Sequence, residues 1–488
     1  VIAAGTNRGI AWQPQPGSQK LFLLCRQFEC LLHGNRGGGK SLAMLLDFCQ
    51  HVGPVRFEGH RANFGTAWKG VIFRRNFPDL SDMITKSLDW IPRTFPEAKF
   101  VSSPQPEWHF ATGERLMFRA IERRADFLKF QGHEYPFIGF EELTGWPDDY
   151  LYKQMITCCR ASRPGIPFKI RSTTNPSGPG HNWVKKRFQL PGPPDQKIGR
   201  LIKAVGEEDR ISIRCSLDEN RALLAVVPNY AERVRMGATS EAQLRAWVYG
   251  DWDIIAGGMF DDLWTPAVHI VPSFPVRAIP SSWSLDRAYD HGSAKPFSVG
   301  WYAQSSGEPF EWEGRVMGTV PGDVFRIAEW YGSPNRSNEG LRLTAIQIAD
   351  GIQDREQDLG LWGLVKPGPA DSQIFSPSDP GRPSVHQEFL KVGVSFIPAD
   401  KGPGSRKAGW ELMRQRLRGA FPAMDGTRQD PGLFICERCI DAIEKLPALP
   451  RSDRDMDDVD TESEDHIGDE VRYRVRRKRP VQAVSSWR

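Results

Sequence analysis

The feature that most constrains this chain is the run Gly34-Asn35-Arg36-Gly37-Gly38-Gly39-Lys40-Ser41, whose glycines prescribe a backbone path rather than a packing surface. It fits the pattern GxxxxGK[ST] at every defined position. An apolar segment, LFLLCRQFECLLHG, leads into it and predicts a strand ending at His33; Leu42-Ala43-Met44-Leu45-Leu46 follows and predicts a helix. Glycine lets successive N–H groups curl toward an anion, and a helix that starts there adds the positive end of its dipole. Lys40 is then placed to reach the β- and γ-phosphates of ATP, and Ser41 to hold Mg²⁺.

Later segments extend the pattern. GVIFRR at 70–75, YPFIGF at 135–140 and FKIRSTTNP at 168–176 read as strands alternating with helical stretches, which predicts a parallel sheet covered by helices on both faces. The strand YPFIGF runs into Glu141-Glu142. Glu141 is expected to hold the Mg²⁺-bound water and Glu142 to polarise the attacking water. Asp is more usual at the first position, and Glu is one methylene longer. Thr173, Thr174 and Asn175 end the next strand, where an open α/β sheet binds its ligand, so they are expected to bond the γ-phosphate or the hydrolytic water.

A chain of 488 residues is too long for one core, so two domains are expected. The pattern predicts a P-loop ATPase domain over 1–205, a helical linker or hinge over 206–280, a second α/β domain over 281–475 and a basic tail over 476–488. Lys plus Arg number 64 against 60 Asp plus Glu, a net charge of +4 that permits but does not require binding to a phosphate backbone. Cys436-Glu437-Arg438-Cys439 stands without a second CxxC or suitably spaced histidines, which argues against zinc and for reduced thiols in a cytosolic protein. There is no cleavable apolar leader and no apolar run of the ~20 residues that crossing a bilayer needs, so no membrane partner is expected. No internal repeat is present.

The second domain offers separated acids. Asp290 ends the strand SWSLDRAYD, Asp371 follows the stretch LWGLVKPGPA, and Asp469 lies in Glu464-Asp465-His466-Ile467-Gly468-Asp469-Glu470-Val471-Arg472-Tyr473. Two-metal hydrolysis of a phosphodiester needs several carboxylates converging on ions ~3.5–4 Å apart. His466 lies three residues before Asp469 and so shares its helical face. Asp286 competes with Asp290, and Asp465 is an auxiliary candidate. Lys401, Arg406 and Lys407 form a Gly/Pro-flanked basic loop and Arg414, Arg416 and Arg418 a basic helix, both suited to gripping a DNA backbone without reading sequence. The acidic segment 453–465 reads as flexible, and the basic run Arg472 to Arg479 as a contact for DNA or a partner.

Together these residues resemble the large terminase subunit of tailed bacteriophages. The resemblance rests on Gly17-Ser18-Gln19, the Gly34–Ser41 loop with Arg36 inside it, Arg74-Arg75, Glu141-Glu142, Thr173-Thr174-Asn175-Pro176, and the pattern Asp465-His466-x-x-Asp469-x-x-Arg472-Tyr473, in that order over roughly 15–478. It implies an N-terminal ATPase that drives DNA translocation, with the Thr/Asn element as its coupling motif. Gln19 then lies on the adenine side of the nucleotide, and Arg36, Arg75 and Arg124 are candidates to act on phosphate charge, in part from a neighbouring subunit. It also implies a ribonuclease H-like nuclease domain with Asp290, Asp371 and Asp469 as metal ligands, His466 as a further metal ligand or the residue that positions a water or the scissile phosphate, and Mg²⁺ replaceable by Mn²⁺. Implied partners are double-stranded DNA, the portal ring, a small terminase subunit and further copies in a ring on the procapsid. The implied location is the host cytoplasm, transiently at the procapsid portal and not in the mature virion. The competing readings are a P-loop helicase or repair nuclease, which needs strand-opening elements after the ATPase, and an assembly protein whose P-loop binds nucleotide without hydrolysing it.

Overall fold

The computed structural model describes residues 2–477 except 5–7, 54–55, 58–59, 62–63, 193–195, 239–240, 253–257, 335–337, 378, 380, 424–425, 453–454 and 462. The end of the basic run, from Lys478, lies outside the described residues, as do parts of the expected linker and of the acidic segment. The chain divides into two compact units, residues 1–257 and 258–488. No described helix is long and apolar enough to cross a membrane.

The first unit is built on an eight-stranded sheet. Its strands are β1 (Glu29–Gly34), β2 (Lys69–Arg74), β3 (Lys99–Val101), β4 (Glu107–His109), β5 (Arg115–Ala120), β6 (Phe137–Glu141), β7 (Lys169–Thr174) and β8 (Arg210–Cys215). They lie in the order β8-β1-β7-β6-β2-β5-β4-β3. All neighbours from β8 to β5 are parallel, and β4 and β3 add an antiparallel margin. β1, β6 and β7 are buried at every residue, as expected for parallel strands covered on both faces. Sequence reasoning places 210–215 in a linker, whereas it forms the edge strand beside β1. β7 is the least apolar buried strand. Its Lys169 and Arg171 are accommodated because Asp47, on the helix α2 (Lys40–Cys49) that follows helix α1 (Ser18–Leu24) and β1 in the chain, pairs with Lys169 Nζ at 2.9 Å and Arg171 Nε at 2.7 Å. Buried charges need such partners.

The second unit holds a seven-stranded sheet. Its strands are β9 (Ile270–Val271), β10 (Ser284–Asp290), β11 (Ser298–Gln304), β12 (Val324–Tyr331), β13 (Pro369–Ala370), β14 (Ile397–Pro398) and β15 (Leu433–Cys436), in the order β9-β15-β12-β11-β10-β13-β14. β10, β11 and β12 form an antiparallel meander, while β13 and β14 run parallel to β10. Helix α3 (Ser405–Gly419) and helix α4 (His466–Val475) carry the basic and acidic residues noted in the sequence. The core between sheet and helices includes Tyr289, Trp301, Tyr302 and Trp410, all within 1% of full burial.

Candidate active sites

At the carboxyl end of β1 the chain turns sharply into α2. Gly34 has φ +143°, and a Cβ there would lie 2.1 Å from the Cys215 carbonyl oxygen, so only glycine lets β1 and β8 approach this closely. Gly39, at φ +76°, occupies the residue before α2. Beside it, Gln19 is buried; its Oε1 accepts from the Gln15 amide at 2.9 Å, and with Trp12, Leu42, Trp90 and Asn220 it lines a cavity of about 350 Å³.

Lys40, at 7% exposure, donates from Nζ to the Asn35 carbonyl at 2.7 Å and to Asn175 Oδ1 at 2.8 Å. Asn175 in turn donates from Nδ2 to the Glu142 carboxylate at 3.1 and 3.3 Å. Lys40, Asn175 and Glu142 thus form a continuous polar line across the ends of β1, β7 and β6. Glu142 sits just past β6 in the left-handed region at φ 52°, a conformation that costs a non-glycine residue of order 1–3 kcal/mol. Glu141, one residue earlier, is buried with Arg74 Nε 3.0 Å away. Burial raises its carboxyl above the usual range, and the Arg74 charge and a hydrogen bond from Ser41 oppose that rise. The Thr174 and Thr144 hydroxyls meet at 2.7 Å, anchoring the end of β7 to the loop after Glu142.

The candidate arginines differ. Arg36 lies over the Trp247 ring, 3.5 Å from its centroid, while its amide donates to the Trp247 carbonyl at 3.0 Å. Arg75 donates to the Gly145 carbonyl at 3.2 Å, and exposed Arg124 pairs with Asp148 at 2.7 Å. Sequence reasoning missed Trp247 and Asn220. Asn220 donates to the Gly37 carbonyl at 2.7 Å while capping the next helix through the Leu223 amide. Its only local signal is an Asn before a helical run; Trp247 has none, because the contact spans distant segments.

In the second unit the acids lie at adjoining strand ends. Tyr289 pairs with Ala370 across β10 and β13, which sets Asp290 and Asp371 side by side, and the Asp371 amide donates to the Tyr289 carbonyl at 3.0 Å. α4 brings His466, whose Nδ1 is 3.3 Å from Asp290 Oδ2, and Asp469. Burial pushes the Asp290 carboxyl up to about 7; the Asp469 and Asp465 charges add to the rise, and the bond from His466 restrains it. Burial works against a proton on His466, yet the Asp290 carboxylate raises it. Asp286 is committed elsewhere: Arg474 holds one of its carboxylate oxygens and Arg477 the other, the latter at 2.6 Å.

Cations occupy several of these carboxylates. Lys401 Nζ donates to Asp371 Oδ1 at 2.6 Å. Arg406 reaches Asp458 at 2.7 Å, Asp465 at 3.0 Å and Asp469 at 3.2 Å. Among the described residues no group of three or more His, Cys, Asp or Glu side chains is arranged to hold a metal ion. The donor chemistry nevertheless fits Mg²⁺ or Mn²⁺, being hard carboxylate oxygens with one imidazole. The Asp290 carboxyl is raised first by burial and then by the Asp469 and Asp465 charges, and a cation among these oxygens would favour its charged form.

The basic loop and helix are largely engaged within the unit. Lys407 pairs with Asp455 at 2.5 Å, Arg414 with Asp262 at 2.5 Å, and Arg416 donates to the Gly322 carbonyl at 2.6 Å. The described part of the acidic segment, read as flexible from sequence, supplies Asp455, Asp458 and Asp465 to these pairs. Opposite charges brought together by the fold neutralise one another, which linear charge patterning does not reveal.

No protein-family model matches the chain. A segment of 92 residues is 33% identical to the cysteine–tRNA ligase of Desulfovibrio desulfuricans, covering 18% of this chain and 19% of that protein. The chain thus spans about a fifth of the length of the curated relative it matches. Among solved structures, the large terminase of a thermophilic bacteriophage is similar at 15% identity and a TM-score of 0.39, over 95% of this chain and 98% of that one. The large terminase of bacteriophage HK97 is similar at 10% identity and a TM-score of 0.38, over 88% and 87% of the two chains. The large-terminase nuclease domain of bacteriophage P22 is similar at 14% identity and a TM-score of 0.30, over 44% of this chain and 90% of that one.

Proposed function

We propose that this chain is an ATP-driven motor that moves double-stranded viral DNA into a procapsid and cuts concatemeric DNA with its own nuclease. The observation that carries the proposal is the pairing, in one polypeptide, of the Lys40–Asn175–Glu142 line on a parallel sheet with the acid cluster at the ends of β10 and β13. The order of motifs along the sequence supplies the packaging half of the reading. The glycine-rich turn into α2 supports a P-loop nucleotide site, and the meander β12-β11-β10 continued by parallel β13 and β14 supports a ribonuclease H-like nuclease.

In this reading Lys40 leaves Asn175 to meet the nucleotide's phosphates, and Glu142 orients the attacking water. Asn175, bonded to both side chains, registers whether the phosphate is present and passes that change to β7. Ser41 would hold Mg²⁺ and Glu141 a water bound to it, and the ion would screen phosphate charge. Gln19 and its cavity take the adenine side. Arg36 lies inside the phosphate loop, whereas the Asp148 partner of Arg124 makes that arginine the weaker candidate for phosphate charge.

At the nuclease site Asp290, Asp371 and Asp469 would hold Mg²⁺ or Mn²⁺, which would supply an activated water and charge stabilisation for the leaving oxygen. Asp290 is preferred to Asp286 because it lies at the strand end beside Asp371 and His466, whereas Asp286 lies four residues back along the strand, between Arg474 and Arg477. His466 positions Asp290 and the scissile phosphate. The expected partners are DNA, the portal ring, a small terminase subunit and further copies of this chain in a ring at the portal, with residues 476–488 as the docking end.

The test is plasmid DNA with Mn²⁺, together with ATP hydrolysis, for the parent protein and its Asp290→Ala and Glu142→Gln variants. Loss of cleavage only in Asp290→Ala and of hydrolysis only in Glu142→Gln is expected. Folded parent protein that neither cuts nor hydrolyses refutes the proposal.

A further inference from the structure

Among the described residues, three cations sit on the candidate metal ligands: Arg472 of α4, only 3% exposed and 3.1 Å from Asp469, and two from one short stretch, Lys401 on Asp371 and Arg406 on Asp469. Lys401 and Arg406 flank Gly402 and Gly404, and Gly404 has φ +74° with nothing within 4 Å of where a Cβ would stand. Their side chains are 33% and 25% exposed, whereas Asp371 and Asp469 are 9% and 14% exposed. The acids are therefore the more buried members of these pairs, and the cations reach them from the rim on long stems, that of Arg406 being also held through Nε by Asp458 at 2.7 Å.

A lysine ammonium and a divalent ion compete for the same carboxylate lone pairs. Lys401 occupies Asp371 Oδ1, and Arg406 bridges Asp465 and Asp469, so an ion entering among these acids meets two positive charges reaching in from the rim, besides the buried Arg472 on Asp469. We propose that Lys401 and Arg406 are displaceable counter-ions: metal loading ejects them from Asp371 and Asp469, and the freed heads then bind the phosphates of DNA at the same site. This rests on the reading of Asp290, Asp371 and Asp469 as metal ligands. Metal and DNA then favour each other's binding, and thermodynamic linkage makes the effect equal in both directions. Without DNA the acids remain neutralised by the protein's own cations, and the nuclease is held in a metal-poor state.

The test is titration of the full chain with Mn²⁺, following free Mn²⁺ by electron paramagnetic resonance, with and without a short duplex carrying uncleavable phosphorothioate linkages. For the parent, DNA tightens Mn²⁺ binding. Without DNA, Lys401→Gln and Arg406→Gln bind Mn²⁺ roughly one-and-a-half- to fivefold more tightly than the parent, the worth of a partly exposed ion pair. They also lose most of the gain on adding DNA, whereas Lys401→Arg keeps the parent's behaviour. Folded Gln variants that bind Mn²⁺ no more tightly without DNA, or that retain the full gain with it, overturn the proposal. Asp371→Asn separates the two levels of the argument. If it binds Mn²⁺ as the parent does, the assignment of the metal ligands fails; if it loses Mn²⁺ while the Gln variants behave like the parent, only the counter-ion exchange fails.

Discussion

Asp286 and Asp290 share a strand and differ in what surrounds them, so the same substitution should affect them in opposite ways. Asp286→Asn leaves Arg474 and Arg477 facing an uncharged amide, and Arg474 is only 3% exposed. Breaking a buried ion pair costs about 3–5 kcal/mol, so a large drop in urea midpoint is expected. Asp290→Asn instead removes a crowded buried carboxylate. Its midpoint should hold or rise while DNA cleavage is lost; a destabilised Asp290→Asn would show that the carboxylate is structural. At Gly34 an added methyl meets the Cys215 carbonyl, and Gly34→Ala should lower stability by at least ~1–3 kcal/mol in the same assay.

At the scale of the element, β1 carries a pH dependence. Trp252 Nε1 donates to His33 Nδ1 at 2.9 Å, and burial, aided by the Arg214 and Lys40 charges, pushes the His33 imidazole down to about 3 from 6.5. Below pH 6.5 the unfolded chain gains a proton that the folded chain refuses, so stability present above that pH is lost as acid is added, down toward pH 3. The slope is about 1.4 kcal/mol per pH unit for one proton. Urea midpoints at pH 7 and pH 5 should differ accordingly, and less so in His33→Gln. The polar line across β1, β7 and β6 makes a second prediction: Asn175→Ala should lower kcat for ATP more than it raises KM, because Asn175 touches the residues that act rather than the base.

These elements also show what sequence makes legible. The P-loop is readable because its chemistry needs contiguous residues at fixed spacing, and β1, β6 and β7 because buried parallel strands are short apolar runs. β8 was not, because RISIRC follows a charged turn-rich stretch and only its pairing with β1 makes it a strand. The candidate nuclease acids could be named from their strand ends and the acidic helix, and the resemblance grouped them, but their convergence was not legible, since separate strands and a helix must fold together before the acids become neighbours. The grip of Lys401 and Arg406 on those acids had no sequence signal, for a basic loop and an acidic helix look alike whether they pair or face water.

In the whole molecule each unit has its own buried core, the first around Phe22, Phe48 and Trp68 and the second around Tyr289, Trp301 and Trp410. Calorimetry should therefore resolve two transitions. ADP with Mg²⁺ should raise one and Mn²⁺ with DNA the other, and Lys40→Ala should abolish only the nucleotide shift. A single transition moved by both ligands would show that the units unfold together.

The margins of the second sheet have a consequence for handling and for life in a crowded cell. β9 and β14 are two residues each, and β14 ends in Pro398, which has no amide hydrogen to offer. Neither rim presents the long open ladder on which a foreign strand could be added. A concentrated solution of this protein has little opportunity to grow cross-β fibres from the margins of that sheet, so association through the second unit's strands should require that unit to unfold first.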